Sequence, residues 1–436
     1  MEISQTTKGL LHRPFSRREA IRLGGLGAMG LGLADVLRME ALAKQAKAPE
    51  AKAKSVIFLW LQGGVSHHDT FDPKPNAPSD IRGPYDPIRT NTGEYISELL
   101  PEIAQIMDKL AVIRSVTHDE GAHERGSMYM VEGRKPTPGA GGSKPSGHPH
   151  MGCIISNELG MQGGMPPYVK IPGNDFTSRF TGTGFLPSTS QSFTQQQAAT
   201  LNSSTIGTNG RFMDRNQLRL ALDSGYTLQN PQWDTFSEQA LDILTTGKAA
   251  AAFDINQEPE KVREAYGANG KNQMGDLCLR ARRLVEAGAR FVTIGRNSWD
   301  HHSKIFERLD ERVPRNDKAI AALIKDLDER GMLEDTLVVY STEFGRTPKI
   351  NKDAGRDHWA KVFSVAFAGA GIKTGQIIGS SDKQGGYPTS DPVSPEELTA
   401  TMLHLVGIHP QTRYMLEGVR PISYVDEAKP FVKLLS

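Results

Sequence analysis

The sequence predicts an α/β fold built on a parallel sheet. Short, continuous apolar runs are followed at once by polar, often histidine-rich segments, and stretches with helical periodicity separate one run from the next. A run that is apolar at every position is typical of a strand buried on both faces, as in parallel sheets. Strands that alternate with helices indicate βαβ units.

Five apolar runs are predicted as strands. The first covers residues 55–61 and ends at Gly63 and Gly64, just before the polar segment 66–70. The others are Leu110 to Val116, Arg290 to Gly295, Thr336 to Ser341 and Val362 to Ala368. Ligands of open α/β sheets bind beyond the carboxyl ends of the strands, so we expect the functional residues in the loops that follow these runs.

Three helices are clear from their periodicity, namely Asp276 to Ala287, Ser303 to Arg330 and Ser394 to Val406. The last begins with a serine cap, a proline at the first helical position and a glutamate at the third. Residues 139–210 are rich in Gly, Ser, Thr, Gln and Pro and lack periodicity. We predict that this segment forms surface insertions around the mouth of the site.

Composition excludes several classes of protein. The 436 residues carry 51 Lys and Arg against 50 Asp and Glu, a formal net charge of +1, which argues against nucleic acid as the main partner. No apolar run is long enough to predict a transmembrane helix in the mature chain. Cys153 and Cys278 are the only cysteines, so no disulfide framework holds the fold, and the sequence leaves open whether these two pair.

The amino terminus resembles a twin-arginine export signal. Arg17 and Arg18 are followed by an uncharged, glycine-rich stretch from Leu23 to Ala34 and then by an alanine-rich segment. We therefore predict a signal peptide over residues 1–48, a linker over 49–54 and a single domain over 55–436. The predicted location is periplasmic or secreted, with the twin-arginine translocase as a partner; the alternative is an ordinary basic amphipathic helix.

Histidines beside carboxylates form four clusters, each predicted to lie at or just after a strand end. This mixture of nitrogen and oxygen donors favours Zn²⁺ or Mn²⁺ over Ca²⁺, so we predict one or two divalent metal ions. The alternative for each isolated pair is a helix cap or a hydrogen-bonded turn. The clusters are His67 and His68 with Asp69, His118 and His123 with Asp119, Glu120 and Glu124, Asp300 with His301 and His302, and Asp357 with His358.

Four sequence blocks resemble the signature of an exported bacterial family, the domain of unknown function 1501, which is similar to the alkaline phosphatase and sulfatase superfamily. The blocks are 63–75 (GGVSHHDTFDPKP), 299–302 (WDHH), 342–348 (TEFGRTP) and 355–359 (GRDHW). The resemblance implies an alkaline-phosphatase-like fold, a doubly wound, mostly parallel sheet with helices on both faces and a loop-rich insertion. It also implies metal-dependent hydrolysis of phosphate or sulfate esters.

The same resemblance implies a set of metal ligands. Asp69 matches the first metal-binding aspartate, and Asp300 and His302 match the Asp and His that hold one metal. Glu343 matches the acid of a second metal, although Phe344 replaces the histidine that follows it in the superfamily. His358 matches the late histidine ligand, with Asp357 as the acceptor that orients its ring.

His123 stands where the superfamily has its Ser, Thr or Cys nucleophile. Three interpretations remain open: His123 is a ligand, an acid/base or a nucleophile, a metal-activated hydroxide attacks directly, or catalysis has been lost. Arg346 is the candidate clamp for an anionic substrate group, with a salt bridge to a neighbouring carboxylate as the alternative. Arg125 at a helix start is a weaker candidate for the same role.

Two functions follow from these features. The first is a metal-dependent hydrolase that acts outside the cytoplasm on an anionic small molecule or a glycan ester. The second is a catalytically inactive binding or scaffold protein that retains the fold and recognises anionic glycans or a partner protein. A redox protein is disfavoured because no cysteine-rich or dinucleotide motif is present.

Overall fold

A central eight-stranded sheet organises the computed structural model, which describes residues 48–142, 144–172, 181–203, 247–271, 273–416 and 420–436. Strands of this sheet are β1 (Ser55–Leu61), β4 (Leu110–Val116), β5 (Tyr168–Ile171), β6 (Phe193–Thr194), β7 (Phe291–Arg296), β8 (Thr336–Ser341), β11 (Phe363–Gly369) and β12 (Gln376–Ile378). Short two-stranded pairs join β2 (Pro87–Arg89) to β3 (Tyr95–Ser97), β9 (Gly345–Arg346) to β10 (His358–Trp359), β13 (Ser380–Ser381) to β14 (Pro388–Ser390), and β15 (Arg413–Leu416) to β16 (Arg420–Ser423).

The sheet has the order β12-β4-β11-β8-β1-β7-β5-β6 and is mostly parallel. Strand β1 lies at its centre and pairs in parallel with β7 and β8. Strand β11 is the exception, since it runs antiparallel to both β8 and β4. The carboxyl ends of β1, β4, β7 and β8 therefore meet at one edge, and the chain that enters β11 arrives at the same edge.

Helices cover both faces of the sheet. They are α1 (Ser79–Arg82), α2 (Pro101–Ala104), α3 (His123–Glu132), α4 (Met151–Leu159), α5 (Gln195–Ser203), α6 (Lys248–Phe253), α7 (Glu260–Tyr266), α8 (Met274–Ala287), α9 (Ile305–Glu329) and α10 (Pro395–Leu405). The capping box predicted for the last helix is present, because Ser394 and Glu397 exchange side-chain and backbone hydrogen bonds.

Two hydrophobic cores lie on opposite faces of the sheet, and the alternation of side chains along β1 separates them. Ile57, Leu59 and Leu61 pack with α8 and α9, whereas Val56, Phe58 and Trp60 pack with α3, α4 and α10. The prediction of a doubly wound α/β sheet is confirmed. Every residue of β1 is buried, as its uninterrupted apolar run predicts.

Two sequence-based expectations need correction. The strand predicted from 362 to 368 was expected to end at the site edge like the others, but its antiparallel direction sends its carboxyl end to the opposite edge. Part of the segment 139–210 is also not a surface insertion, because α4 packs against the sheet and β5 and β6 extend it. Short strands without a periodic pattern give too little signal to be recognised in a polar segment.

The two cysteines are free and buried. Cys153 belongs to one core and Cys278 to the other, so the sheet separates them. The predicted signal peptide lies outside the described residues, apart from its last position. Within the described ranges, no helix combines the length and the apolar character needed to cross a bilayer.

Candidate metal centre

Loops from four parts of the chain meet at the site edge. His123 is the first residue of α3, which follows β4; Asp300 and His302 follow β7. Glu343 follows β8, and His358 lies in β10, where it pairs with Arg346 of β9. Residues of three of the four histidine clusters thus lie in one region, beyond the carboxyl ends of the strands, where ligands of α/β sheets bind.

Three imidazoles converge on the Asp300 carboxylate through the same ring atom. The Nε2 atoms of His302 and His358 lie 3.0 and 3.1 Å from Asp300 Oδ1, and they are 3.0 Å from each other. His123 Nε2 lies 3.1 Å from Asp300 Oδ2. His123, Asp300 and His358 each offer one ligand atom, and these three atoms all lie within 4.8 Å of one another.

The other ring nitrogen of each histidine is anchored to an oxygen. His123 Nδ1 donates to Glu343 Oε1 at 2.7 Å, and His302 Nδ1 donates to Asp357 Oδ1 at 2.6 Å. His358 Nδ1 donates to the backbone carbonyl oxygen of Gly121 at 2.8 Å. Metal-bound histidines are oriented in this way, since a proton fixed on Nδ1 leaves the Nε2 lone pair for the ion.

The spacing of these atoms suits a metal ion. Tetrahedral coordination with bonds of about 2.05 Å places donor atoms about 3.3 Å apart. The Nε2 atoms of His123, His302 and His358 lie 3.0 to 3.1 Å from an Asp300 oxygen, which is close to that value. His123 Nε2 is also buried without a hydrogen bond of acceptable geometry, although it lies next to Asp300. A buried polar atom without a partner is costly unless something binds it. His123, Asp300 and His358 could therefore hold one divalent cation, and His302 Nε2, 3.0 Å from both Asp300 Oδ1 and His358 Nε2, offers a fourth donor beside them.

Charge in the cluster is concentrated on Asp300. Burial works to raise the pKa of Asp300, but the adjoining side chains of His123, His358 and Arg346 hold it well below its usual range. Burial works to lower the pKa of His123, and the adjacent carboxylates of Asp300 and Glu343 outweigh it and raise that pKa to about 9. Without a metal His123 is a cation at neutral pH, so a metal ion that binds its Nε2 must displace a proton.

Phe344 forms the floor of the cluster. Its ring is fully buried and packs against His123 and His358, with ring centroids 5.1 and 4.5 Å apart. An aromatic floor excludes water from one side of the imidazoles while Asp300, with 41% of its side chain exposed, leaves the other side open. Phe344 thus packs against the imidazoles at the position where the resemblance implies a histidine ligand of a second metal ion.

Arg346 lies beneath the site and not in the path of a substrate. Its side chain is completely buried and donates to the carbonyl oxygens of Gly63, Gly64, Trp299 and Arg356 and to Asp300 Oδ1, the last at 2.6 Å. The prediction of a substrate clamp is corrected, because the whole guanidinium is engaged by the protein. The alternative from the sequence, a salt bridge to a neighbouring carboxylate, is what the structure shows. Arg125 is likewise engaged, in a two-point contact with Glu120.

Glu343 is buried behind His123. Its carboxylate accepts hydrogen bonds from His123 Nδ1, from the backbone N–H of Gly63 at 2.8 Å and from Thr342 Oγ1 at 3.1 Å. These bonds aim it at the anchored nitrogen of His123 and not at the Nε2 cluster. Its geometry is that of a residue that positions His123, in place of the direct metal ligand expected from the resemblance.

Asp69 is not part of the cluster. It is completely buried and accepts hydrogen bonds from Ser66 Oγ at 2.5 Å and from Arg356 Nε at 2.9 Å. Arg356 is equally buried, so the two charges neutralise each other inside the protein. The expected metal ligand is therefore a structural carboxylate, and the cation that pairs with it was not recognised from the sequence.

The remaining histidines of the four clusters bind backbone groups. His67 and His68 contact the carbonyl oxygens of Gly385 and Gln384, and His118 and His301 contact those of Glu343 and Ser298. They hold loops in place, which was the alternative for isolated histidine pairs. Asp357 was expected to accept a hydrogen bond from His358. It accepts one from His302 instead, and the backbone carbonyl oxygen of Gly121 accepts from His358.

A family model matches most of the chain. The model of a family described as a protein of unknown function (DUF1501) matches residues 53–435. No curated protein matches this sequence. The family match covers nearly the whole of the domain predicted from the sequence.

Several solved structures are similar to this chain. One is the PsFucS1 sulfatase from Pseudoalteromonas sp., at 14% identity, with 91% of this chain and 72% of that chain covered and a TM-score of 0.41. Another is a protein in the alkaline phosphatase superfamily from Vibrio parahaemolyticus, at 12% identity, with 83% and 69% covered and a TM-score of 0.40. A third is the lipoteichoic acid synthase LtaP from Listeria monocytogenes, at 10% identity, with 83% and 74% covered and a TM-score of 0.38.

Gly63 provides a test of how the site is assembled. Its φ of +123° is unfavourable for other residues, and a Cβ there would lie 2.4 Å from the backbone nitrogen of Asp300. Gly63→Ala is expected to lower the free energy of unfolding by at least about 2 kcal/mol, measured by urea denaturation. Gly121→Ala is the control, since a Cβ at Gly121 meets nothing within 4 Å. Equal stability of the two variants would contradict this account.

Proposed function

This chain belongs to the DUF1501 family, and we propose that it is an exported, metal-dependent hydrolase of phosphate or sulfate esters. The observation that carries the proposal is the convergence of three Nε2 atoms on Asp300 while all three Nδ1 atoms are held by oxygens. Packing alone gives no reason to orient three imidazoles in the same way. The resemblance of the sequence blocks to the alkaline phosphatase and sulfatase superfamily supplies the reaction class.

The proposed metal centre consists of His123, His302, His358 and Asp300. Three imidazole nitrogens and one carboxylate favour Zn²⁺ or Mn²⁺ over Ca²⁺, which prefers oxygen ligands. When bound, such an ion lowers the pKa of a water molecule and neutralises charge on the ester oxygen. We propose one ion, because Glu343 is committed to His123, Asp69 is committed to Arg356, and Phe344 offers no ligand.

The protein residues have distinct proposed roles. Asp300 contributes the negative charge, and Arg346 fixes one of its oxygens from below. Glu343 and Asp357 act as positioning residues, because each accepts the Nδ1 proton of a ligand histidine. His123, at the start of α3, has the further capacity to hold or release a proton at Nε2 in the absence of the metal.

Water is the proposed nucleophile. His123 occupies the position of the superfamily nucleophile and has no hydroxyl or thiol to form a covalent intermediate. The nearby hydroxyls of Ser66 and Thr342 are engaged with Asp69 and Glu343. A single displacement, in which water attacks phosphorus or sulfur and the alcohol leaves, needs no residue nucleophile.

A binding protein without catalysis is the second candidate. The observation that favours it is the contact between Arg346 and Asp300, since a buried cation beside the carboxylate already neutralises its charge. That contact reduces the affinity of Asp300 for a metal ion. In this alternative, the retained fold recognises an anionic glycan or a partner protein.

Export is proposed from the amino-terminal sequence alone, because the twin-arginine motif lies outside the described residues. The protein would fold in the cytoplasm and pass through the twin-arginine translocase to the periplasm or the medium. Replacement of both Arg17 and Arg18 by Lys is expected to leave the full-length chain in the cytoplasm, as seen by fractionation and immunoblotting. Unchanged export of that variant would contradict the proposal.

Metal content and hydrolysis test the proposed activity together. The protein purified without chelators is expected to contain about one equivalent of Zn or Mn by plasma emission spectrometry. His302→Ala and His358→Ala should weaken metal binding by at least about 100-fold, since each removes a ligand. Hydrolysis of aryl phosphate or aryl sulfate esters should fall in parallel.

His404→Ala is the matched control, because His404 lies at the carboxyl end of α10 next to Leu405, whose carbonyl oxygen accepts from the N–H groups of Lys52 and Ala53 just before β1, at the edge of the sheet opposite the cluster. It should retain both the metal and the activity. A parent protein that takes up metal but hydrolyses no ester would favour the binding protein. A parent that takes up no metal after reconstitution would contradict the metal centre itself.

A further inference from the structure

A stripe of basic residues runs from the proposed metal centre along α9. Lys304, Arg308, Arg312 and Arg315 follow one another at intervals of four, four and three residues, so they share one face of the helix. Lys304 comes two residues after His302. At 1.5 Å per residue, the stripe extends about 16 Å from the site.

The far end of the stripe opens into a groove of about 400 Å³. Among the described residues, four cations line this groove, namely Arg296, Arg312, Arg315 and Lys318, together with one acid, Glu311. Its remaining wall includes the amino terminus of α8 and the end of β7. Asp276 already caps that helix terminus, so the four cations are what make the walls of the groove complementary to an anion.

The groove and the metal centre share one loop. Ser298, two residues before Asp300, lines the groove with a φ of +82°. Its carbonyl oxygen accepts hydrogen bonds from Arg312 Nη1 at 2.8 Å and from His301 Nε2 at 2.9 Å. A ligand seated in the groove would thus contact the loop that carries Asp300.

Three acids near the stripe, Glu307, Asp310 and Glu311, reduce its formal charge to 4 − 3 = +1 but do not abolish it. Glu307 and Glu311 pair with Lys304 and Arg315 at 3.7 and 3.3 Å, but these side chains are at least 62% exposed, so the pairs are weak and exchangeable. Asp310 is turned toward Tyr85, and its Oδ1 accepts a hydrogen bond from the Tyr85 hydroxyl at 2.8 Å. Burial, and then the charge of Arg312, lower the pKa of Arg296, as expected of like charges in one concavity.

We propose that the α9 stripe and its groove bind the additional anionic groups of a linear acidic polysaccharide, one of whose sulfate or phosphate esters occupies the metal centre. The inference rests on the proposed function for the ester at the cluster, and it adds the class of substrate. Spacing of cations along a helix suits a ligand with repeated charges better than a small monoester.

The groove is less suited to a nucleic acid. Single strands are bound through aromatic side chains on which the bases stack. In the part of the groove wall that the structure describes, the one aromatic residue is Tyr266, which is buried with its hydroxyl bound to Asp326 at 2.7 Å. Charged side chains without an exposed aromatic ring among these residues suit a sugar chain better than stacked bases.

The test is direct binding of defined polymers to the full-length mature protein. The probes are dextran sulfate, phosphorylated dextran, neutral dextran and a single-stranded oligonucleotide of matched charge, measured by isothermal titration calorimetry at two salt concentrations. The test variant is the double exchange Arg308→Ala with Arg315→Ala. The control is the double exchange Arg89→Ala with Lys383→Ala, which removes the same charge from exposed positions outside α9.

The parent should bind one of the two charged dextrans, and the identity of that dextran distinguishes sulfate from phosphate. The α9 variant should bind it about tenfold more weakly or worse, while the control binds as the parent does. The α9 variant should keep its metal and its hydrolysis of a small aryl ester. His302→Ala should lose the metal and keep the polymer, so failure of the function is distinguishable from failure of the inference.

Three results would overturn the inference. The α9 variant and the control could lose affinity equally, which would indicate a general charge effect. The oligonucleotide could bind as tightly as the charged dextrans, or no charged dextran could bind better than neutral dextran.

Polymer binding through α9 by a protein that hydrolyses no ester would support the proposed polysaccharide site and contradict the proposed hydrolase activity.

Discussion

The burial of one guanidinium holds the site together. Arg346 follows β8 and donates to carbonyl oxygens beyond β1 and β7 and in the segment that enters β11, and it also contacts Asp300. A desolvated cation is tolerated only when its donors are paired, and removal of such a partner costs about 3–5 kcal/mol. The loops must therefore stay together for Arg346 to remain buried. Gly63 makes this closeness feasible, because the Asp300 backbone occupies the space of a side chain there.

The cluster above Arg346 is built in two layers. Asp300 and three Nε2 atoms form the inner layer, and Glu343, Asp357 and the carbonyl of Gly121 form the outer layer. The outer layer decides which nitrogen of each ring faces inward. Rigid orientation of this kind is what a preorganised metal centre requires, because ligands that are already aligned lose little entropy on binding.

Much of the fold could be predicted from the sequence, and the site only in part. Predominantly apolar runs identify β1, β4 and β8 to the residue, and the capping box places the start of α10. The direction of β11 could not be predicted, since an apolar run is the same in either direction. Of the two adjacent histidines 301 and 302, His302 reaches the cluster while His301 binds a carbonyl oxygen. Composition cannot show which of two neighbouring loop residues faces the site. Nor could sequence show that Asp69 and Arg346 are committed inside the protein, because their partners lie far away along the chain.

The proposed function depends on one metal ion bound by His123, His302, His358 and Asp300. Anomalous X-ray diffraction at the zinc and manganese absorption edges, from crystals grown with each metal, would locate that ion. We expect a single peak bonded to the three Nε2 atoms and to Asp300 at about 2.0–2.2 Å. A peak at Asp69 or elsewhere, with none among the three imidazoles at saturating metal, would contradict it.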